Sequence, residues 1–179
     1  MTEIRMVRGD ITEQRVDAIV NAANASLLGG GGVDRAIHYV AGPGLKMECQ
    51  SLGGCKTGEA KTTKGYKLPA RHVIHTVGPV YGQEDGNEEL LLSNCYTNSL
   101  KLAEQHGLRS IAFPAISTGV FGYPKKEAAY IAVETVKYFI SRHPDAFDEV
   151  CFVLFDEGNC EVYQNLLENQ EEGVDHAGG

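Results

Sequence analysis

Tryptophan is absent from the chain, and none of its 179 residues falls in an apolar run long enough to cross a bilayer as a helix. Met1 to Asp17 carry acids and bases throughout, without the apolar stretch of a secretion signal. The expectation is therefore a cytoplasmic protein. Positive charge is scarce: 16 Lys and Arg face 24 Asp and Glu, for a formal net charge of −8. Such a balance argues against a non-specific grip on nucleic acid or an anionic membrane. It leaves a small anionic ligand open, because a few backbone N–H groups at a helix start can hold a phosphate on an acidic protein. The five cysteines (49, 55, 95, 151 and 160) are odd in number and contain no Cys-x-x-Cys pair. That excludes the usual disulfide frameworks and zinc sites and points to reduced thiols, with no metal and no cofactor expected.

The length suits one α/β domain. Internal repeats and long linkers are missing. Residues 169–179 (NQEEGVDHAGG from Asn169 on reads polar, acidic and glycine-containing) are expected to form a flexible tail after a domain over 1–168. Short β-branched or apolar runs predict strands at Ile4–Val7, Val16–Val20, Arg71–Val77, Ser110–Phe113 and Val150–Phe155, with a weaker one at Ala60–Gly65. Between them, helical patterns cover Val33–Val40, Pro43–Leu52, Glu88–His106 and Lys125–Ser141, the last with Tyr130, Val133, Val136 and Ile140 at helical spacing. Tyr163, Leu166 and Leu167 mark a final helix. Alternating strands and helices predict a parallel or mixed sheet covered on both faces, with ligands received beyond the strand C-termini.

Chemistry concentrates in two glycine-bearing loops. After the strand ending at Asn21–Asn24 come four consecutive glycines, Gly29 to Gly32, and a helix that starts near Val33 or Asp34. Ordering four glycines is entropically costly, so a plain connection rarely uses them. Bare backbone beside a helix start suits an anion. The segment completes neither G-x-x-x-x-G-K-[ST] nor G-x-G-x-x-G, which removes the P-loop and dinucleotide-fold readings. The second loop, PAISTGVFGYP from Pro114 to Pro124, offers Ser117, Thr118, two glycines and Phe121. Together the loops can hold a diphosphate from both sides. Asp10, Asn21, Asn24 and Asp34 each have a local explanation as caps, but they gather around one glycine-rich loop. Asp34 and His38 share a helix face at i, i+4. With no Ser or Cys nucleophile in a recognisable elbow, His38 reads as structural, as do His72 and His75, and Lys125–Lys126 reads as a solvated helix start.

GDIT (Gly9–Thr12), VDAIVNAAN (Val16–Asn24), LLGGGGVDRAIH (Leu27–His38), HTVGP (His75–Pro79) and PAISTGVFGYP (Pro114–Pro124) occur in this order from about Arg5 to Leu167. In that combination the chain resembles the macrodomain family, and within it the MacroD-type branch that includes bacterial O-acetyl-ADP-ribose deacetylases. The resemblance implies a three-layer α/β/α fold with a mixed, mostly parallel central sheet. It implies ADP-ribose or O-acyl-ADP-ribose as ligand, with mono-ADP-ribosylated proteins as a further partner class. Asp10 would accept the adenine amino group, with the Ile11 backbone beside it, and Phe155 would stack on adenine. Gly30, Gly31, Gly32 and Val33 would wrap the diphosphate with Ser117, Thr118, Gly119, Val120 and Phe121; Ala23 belongs to the same set, and Phe121 would pack on the distal ribose. Asn24 and Asp34 match the pair associated with catalysis. The Cys and His positions depart from the zinc-bearing branch of the family. Two readings stand: a hydrolase of ester-linked ADP-ribose, in which either Asp34 or the ligand's diphosphate activates water, and a non-catalytic ADP-ribose reader. An RNA-binding module is disfavoured by the charge.

Overall fold

The computed structural model describes residues 1–178, with side chains through residue 168. In chain order the elements are β1 (Glu3–Arg8), a single 3₁₀ turn (Ile11–Glu13), β2 (Ala18–Ala23), α1 (Gly32–Ala41), α2 (Pro43–Leu52), β3 (Ala60–Lys64) and β4 (His72–Val77). They continue with α3 (Glu88–Gln105), β5 (Ser110–Phe113), α4 (Lys125–Arg142), β6 (Glu149–Leu154) and α5 (Glu157–Gly178). The expected tail over 169–179 lies outside the residues whose side chains are described; its backbone through Gly178 continues α5.

One six-stranded sheet runs β1-β6-β5-β2-β4-β3. Every pairing is parallel except β3 with β4. Strands β2, β4, β5 and β6 are buried almost end to end, as expected where helices cover both faces. The edge strand β3 (AKTTK) is polar and lysine-flanked, which discourages pairing with another chain.

Period-two alternation splits the apolar side chains into two cores. Ala18, Val20, Phe113 and Phe152 face a cluster with Tyr96 of α3, Val133 of α4 and Tyr163 of α5. Ile19, Ala23, Val73 and Val153 face the other way, onto Ile37 of α1 and Leu45 of α2. Burial of this kind stabilises by about 25 cal/mol per Å² of apolar surface. The periodicity reading of α4 needs one correction. Tyr130 is 57% exposed, and the buried face carries Ala128, Ala129, Ala132, Val133, Val136 and Phe139. Small alanines let α4 lie close against its neighbours, and the bulky tyrosine points outward. All five cysteines are buried and free. Among the described residues, no helix is long and apolar enough to cross a membrane.

Candidate active site

The parallel strands all deliver their C-termini to one edge. A cleft of about 580 Å³ opens there, beyond β2, β5 and β6. Ala23, Asn24, the segment Gly30–Asp34, Ser117–Phe121 and Phe155 line it, so most of the residues expected from sequence meet in one place. Asp10 and Ile11 are not among the lining residues. Asp10 caps the 3₁₀ turn, its Oδ1 accepting from the Thr12 amide at 2.9 Å and the Thr12 hydroxyl at 2.7 Å. The two remain close to the cleft's far end, because the Gly9 amide donates to the Leu154 carbonyl at 3.0 Å and so ties the end of β1 to the end of β6.

Asn24 shapes the glycine loop. Its Nδ2 donates to the Gly29 carbonyl at 2.8 Å, and its Oδ1 accepts from the Ser26 hydroxyl at 2.8 Å and the Leu27 amide at 3.1 Å. One amide hydrogen is left over. Gly31 is the N-cap of α1 and offers no side-chain partner, so the first N–H groups of that helix stay free beside the cleft. A side chain at Gly30 would crowd the two polar groups beside it. A Cβ there would sit 3.1 Å from Asp34 Oδ2 and 3.3 Å from Asn24 Nδ2.

Asp34 is only 2% exposed. Its Oδ1 accepts from Asn21 Nδ2 at 2.9 Å and lies 3.4 Å from His38 Nε2. Its Oδ2 is buried with no hydrogen-bond partner. Burial raises the carboxyl pKa above the ordinary aspartate value, with the Asn21 hydrogen bond and the neighbouring His38 opposing. The carboxylate bonds Asn21, in a neighbouring strand, and so does more than cap its own helix.

The second loop is strained where it meets the cleft. Ser117 adopts φ 67°, left-handed backbone that non-glycine residues rarely take, and its buried hydroxyl has no partner. Gly78, just past β4, makes room for it: a Cβ at 78 would fall 2.2 Å from Ser117 Oγ. The Tyr123 amide closes the turn onto the Ser117 carbonyl at 2.9 Å, and the Tyr81 amide holds the Phe121 carbonyl at 2.8 Å. Phe121 is half-buried; Val120 is fully exposed at the loop tip.

The third wall joins Phe155, expected from sequence, to Asp156, Asn159 and Lys125, which sequence reasoning did not select. Phe155 stands 73% exposed just beyond β6. Next to it, Asp156 accepts from Lys125 Nζ at 2.9 Å and from Asn159 at its backbone N (3.0 Å) and Nδ2 (2.8 Å). Partial burial opposes ionisation, but these hydrogen bonds outweigh it and bring the Asp156 carboxyl down to about 2. Asn159 also reaches Thr118 Oγ1 at 3.2 Å, while its Oδ1 is buried without a partner. Lys125, read from sequence as a solvated helix start, is paired with Asp156 and lines the cleft. Among the described residues, no group of three or more His, Cys, Asp or Glu is placed to hold a metal ion.

A left-handed serine, bare glycines at a helix start and a buried carboxylate thus surround one cleft. The Macro domain family model matches residues 20–132. The chain belongs to the Macro domain family. It is 54% identical to the O-acetyl-ADP-ribose deacetylase of Escherichia fergusonii over 173 residues, covering 94% of this chain and 97% of that protein. It is 51% identical to the ADP-ribose glycohydrolase MACROD2 of Homo sapiens over 92% of this chain, but spans only 39% of that longer protein. Among solved structures, the Oceanobacillus iheyensis macrodomain with ADP is similar at TM-score 0.89 and 47% identity, covering 94% of this chain and 91% of that one. The Trypanosoma brucei macrodomain in complex with ADP-ribose is similar at TM-score 0.87 and 49% identity, covering 92% and 68%. The family architecture matches the three-layer α/β/α expectation.

Proposed function

We propose that this macrodomain binds ADP-ribose in the cleft and hydrolyses its ester-linked derivatives, O-acetyl-ADP-ribose and mono-ADP-ribosylated Glu or Asp side chains. The observation that carries the reading is Asp34: a carboxylate 2% exposed, with Oδ2 unpartnered, on the wall of a cleft built for an anion. A reader module has no use for such a group, whose desolvation costs roughly 1–3 kcal/mol or more.

The diphosphate is assigned to the N–H groups at the start of α1, with Gly30, Gly31, Gly32 and Val33, and to the Ser117–Phe121 loop opposite. The unpartnered Ser117 hydroxyl supports that placement. Adenine lies toward Phe155, with Asp10 and the Ile11 backbone at its edge. The distal ribose lies against Phe121, Ala23 and Asn24, whose spare amide hydrogen meets a ribose hydroxyl. Asp34 Oδ2 holds the attacking water. As the water oxygen bonds to the ester carbon, its proton passes to Asp34, and the ribose oxygen takes that proton as the ester bond breaks. A pKa raised by burial makes Asp34 a better base than an ordinary carboxylate, which favours it over the ligand's diphosphate.

The working unit is residues 1–168, since the site draws on nothing past Asn159. Five buried free thiols support a reducing, cytoplasmic setting. The deciding experiment incubates the protein with a peptide mono-ADP-ribosylated on glutamate and follows free ADP-ribose. Release supports the hydrolase. Tight binding without release leaves the reader.

A further inference from the structure

We propose that Asn21 is a positioning residue for Asp34, and that His75 in turn fixes Asn21. The inference rests on the hydrolase reading for its activity readout only. Asn21 is fully buried in the middle of β2 and does not line the cleft. Its strand position turns it toward α1, on the same side as Ile19 and Ala23. His75 is its register partner in β4 and is also fully buried.

The hydrogens of this cluster can be assigned one by one. Thr63 Oγ1 donates its single hydrogen to the Lys64 carbonyl at 3.1 Å. An ionised Asp34 can only accept, so it is the Asn21 nitrogen that faces it; the same nitrogen faces His75 Nδ1, which puts the ring proton on Nε2, 2.9 Å from the Thr63 hydroxyl. A neutral His75 with its proton on Nε2 leaves Nδ1 as an acceptor, 3.1 Å from Asn21 Nδ2. Burial keeps the ring neutral, lowering its pKa to about 3. The Asn21 amide then spends one hydrogen on His75 and the other on Asp34 Oδ1 at 2.9 Å. Exchanging the amide's oxygen and nitrogen would set an oxygen against both the carboxylate and the ring's lone pair, so the orientation is determined. The Asn21 side-chain oxygen, Oδ1, is itself buried and unpartnered. This side chain is thus poor at filling a core and good at donating two hydrogen bonds in fixed directions.

The consequence falls on Asp34. The hydrogen bond that the carboxylate accepts from Asn21 falls on Oδ1, and His38 Nε2 lies 3.4 Å from the same oxygen without bonding it, which leaves Oδ2 as the oxygen turned toward Gly30. Asn21 sets the rotation of the carboxylate. Without it the group can turn toward His38, and a misplacement of about 1 Å costs on the order of 10²-fold in rate.

The test is Asn21→Leu, close in volume and without donors, with His75→Gln as the remote partner. For Asn21→Leu we expect kcat to fall roughly 10–100-fold, with KM and ADP-ribose affinity within about threefold of wild type. The acid limb of the kcat profile should move to higher pH, because the ionised carboxylate has lost a donated hydrogen bond. The titratable groups around Asp34 are His38 on α1, His75 on β4 and Cys49 on α2. Burial holds the Cys49 thiol up at about 11, so it stays neutral throughout, and His38 is held the same in every variant. His75→Gln should shift the limb in the same direction by less. Carbon-13 NMR of the Asp34 carboxyl in ligand-free protein reads the same shift without turnover. Inactive wild type would therefore sink the hydrolase reading while leaving this one measurable. Unchanged kcat and acid limb in folded Asn21→Leu would overturn the proposal, as would a kcat loss matched by an equal loss of ADP-ribose affinity. If Asn21→Leu does not fold, an Asp34 carboxyl titration that is the same in His75→Gln as in wild type overturns it.

Discussion

Asp34→Asn separates catalysis from stability at a single, nearly isosteric position. The carboxylate is 2% exposed and half of it is unpartnered, so the folded protein carries a desolvated charge with one oxygen unsatisfied. An unsatisfied buried polar group costs roughly 1–3 kcal/mol, more when charged. An asparagine can keep its oxygen toward Asn21 Nδ2 and discard the charge. The variant should be at least as stable as wild type, by about 1 kcal/mol, or roughly 2–4 °C in Tm for a chain of this size. The gain has a definite pH dependence. Because the folded-state pKa of Asp34 is raised, wild type is penalised while the group is ionised. The gap is therefore full above the folded pKa and closes as pH falls and both proteins become neutral there. Turnover should move the other way, dropping roughly 10²–10⁴-fold with loss of the base. ADP-ribose affinity, by calorimetry, should hold or tighten as a negative charge near the diphosphate disappears. Differential scanning calorimetry and ADP-ribose release on the same preparation decide the matter. A Tm several degrees lower, with turnover per folded molecule unchanged, would make Asp34 a structural residue and refute the reasoning.

His75 makes a separate pH prediction: its pKa falls from 6.5 unfolded to about 3 folded, so stability present above pH 6.5 is lost on acidification. Urea midpoints should show wild type losing about 2–3 kcal/mol more than His75→Gln between pH 6.5 and 4.5, and a constant difference would contradict it. Phe155→Ala should leave Tm in place, since the ring is 73% exposed. It should weaken ADP-ribose by roughly 5–150-fold, the worth of base stacking on an aromatic, and unchanged affinity would move adenine elsewhere. Turnover should survive exhaustive chelation with EDTA; abolition with recovery on adding metal would show that an ion takes part.

Much of the fold was legible because its signals are local. The pattern over Ser110–Phe113 and Pro43–Leu52 has the bounds of the structure, and the other strands with α1, α3 and α4 start or stop within a few residues of theirs, while α5 is longer at both ends than Tyr163, Leu166 and Leu167 mark. The two glycine-bearing loops announced the cleft for the same reason. What stayed hidden depends on pairing across the chain. Sequence grouped Asn21 with the glycine-rich loop and read His75 as structural; only the parallel register of β2 on β4 sets them side by side. Lys125 and Asp156 lie 31 residues apart, and the turn into α5 that unites them with Asn159 leaves no pattern in composition. Tyr130 shows the opposite failure. Helical spacing gave it a face, but the choice of which face turns inward fell to the alanines beside it.

The fit between Gly78 and Ser117 makes two distant positions behave as one unit of variation. Any side chain at 78 would drive into Oγ of residue 117, and residue 117 holds a backbone shape that few residues accept. A library that randomises Pro114–Pro124 to change ligand preference, with position 78 left alone, therefore samples only loops that fit over a bare backbone. One that substitutes Gly78 alone will look uniformly damaging. Ser117→Gly would relieve the left-handed backbone and remove the nearer of two clashes at 78, leaving Ile116 Cγ2 at 2.7 Å to shift. A double-mutant cycle of Gly78→Ala with Ser117→Gly should accordingly be non-additive, the second change rescuing part of the loss caused by the first.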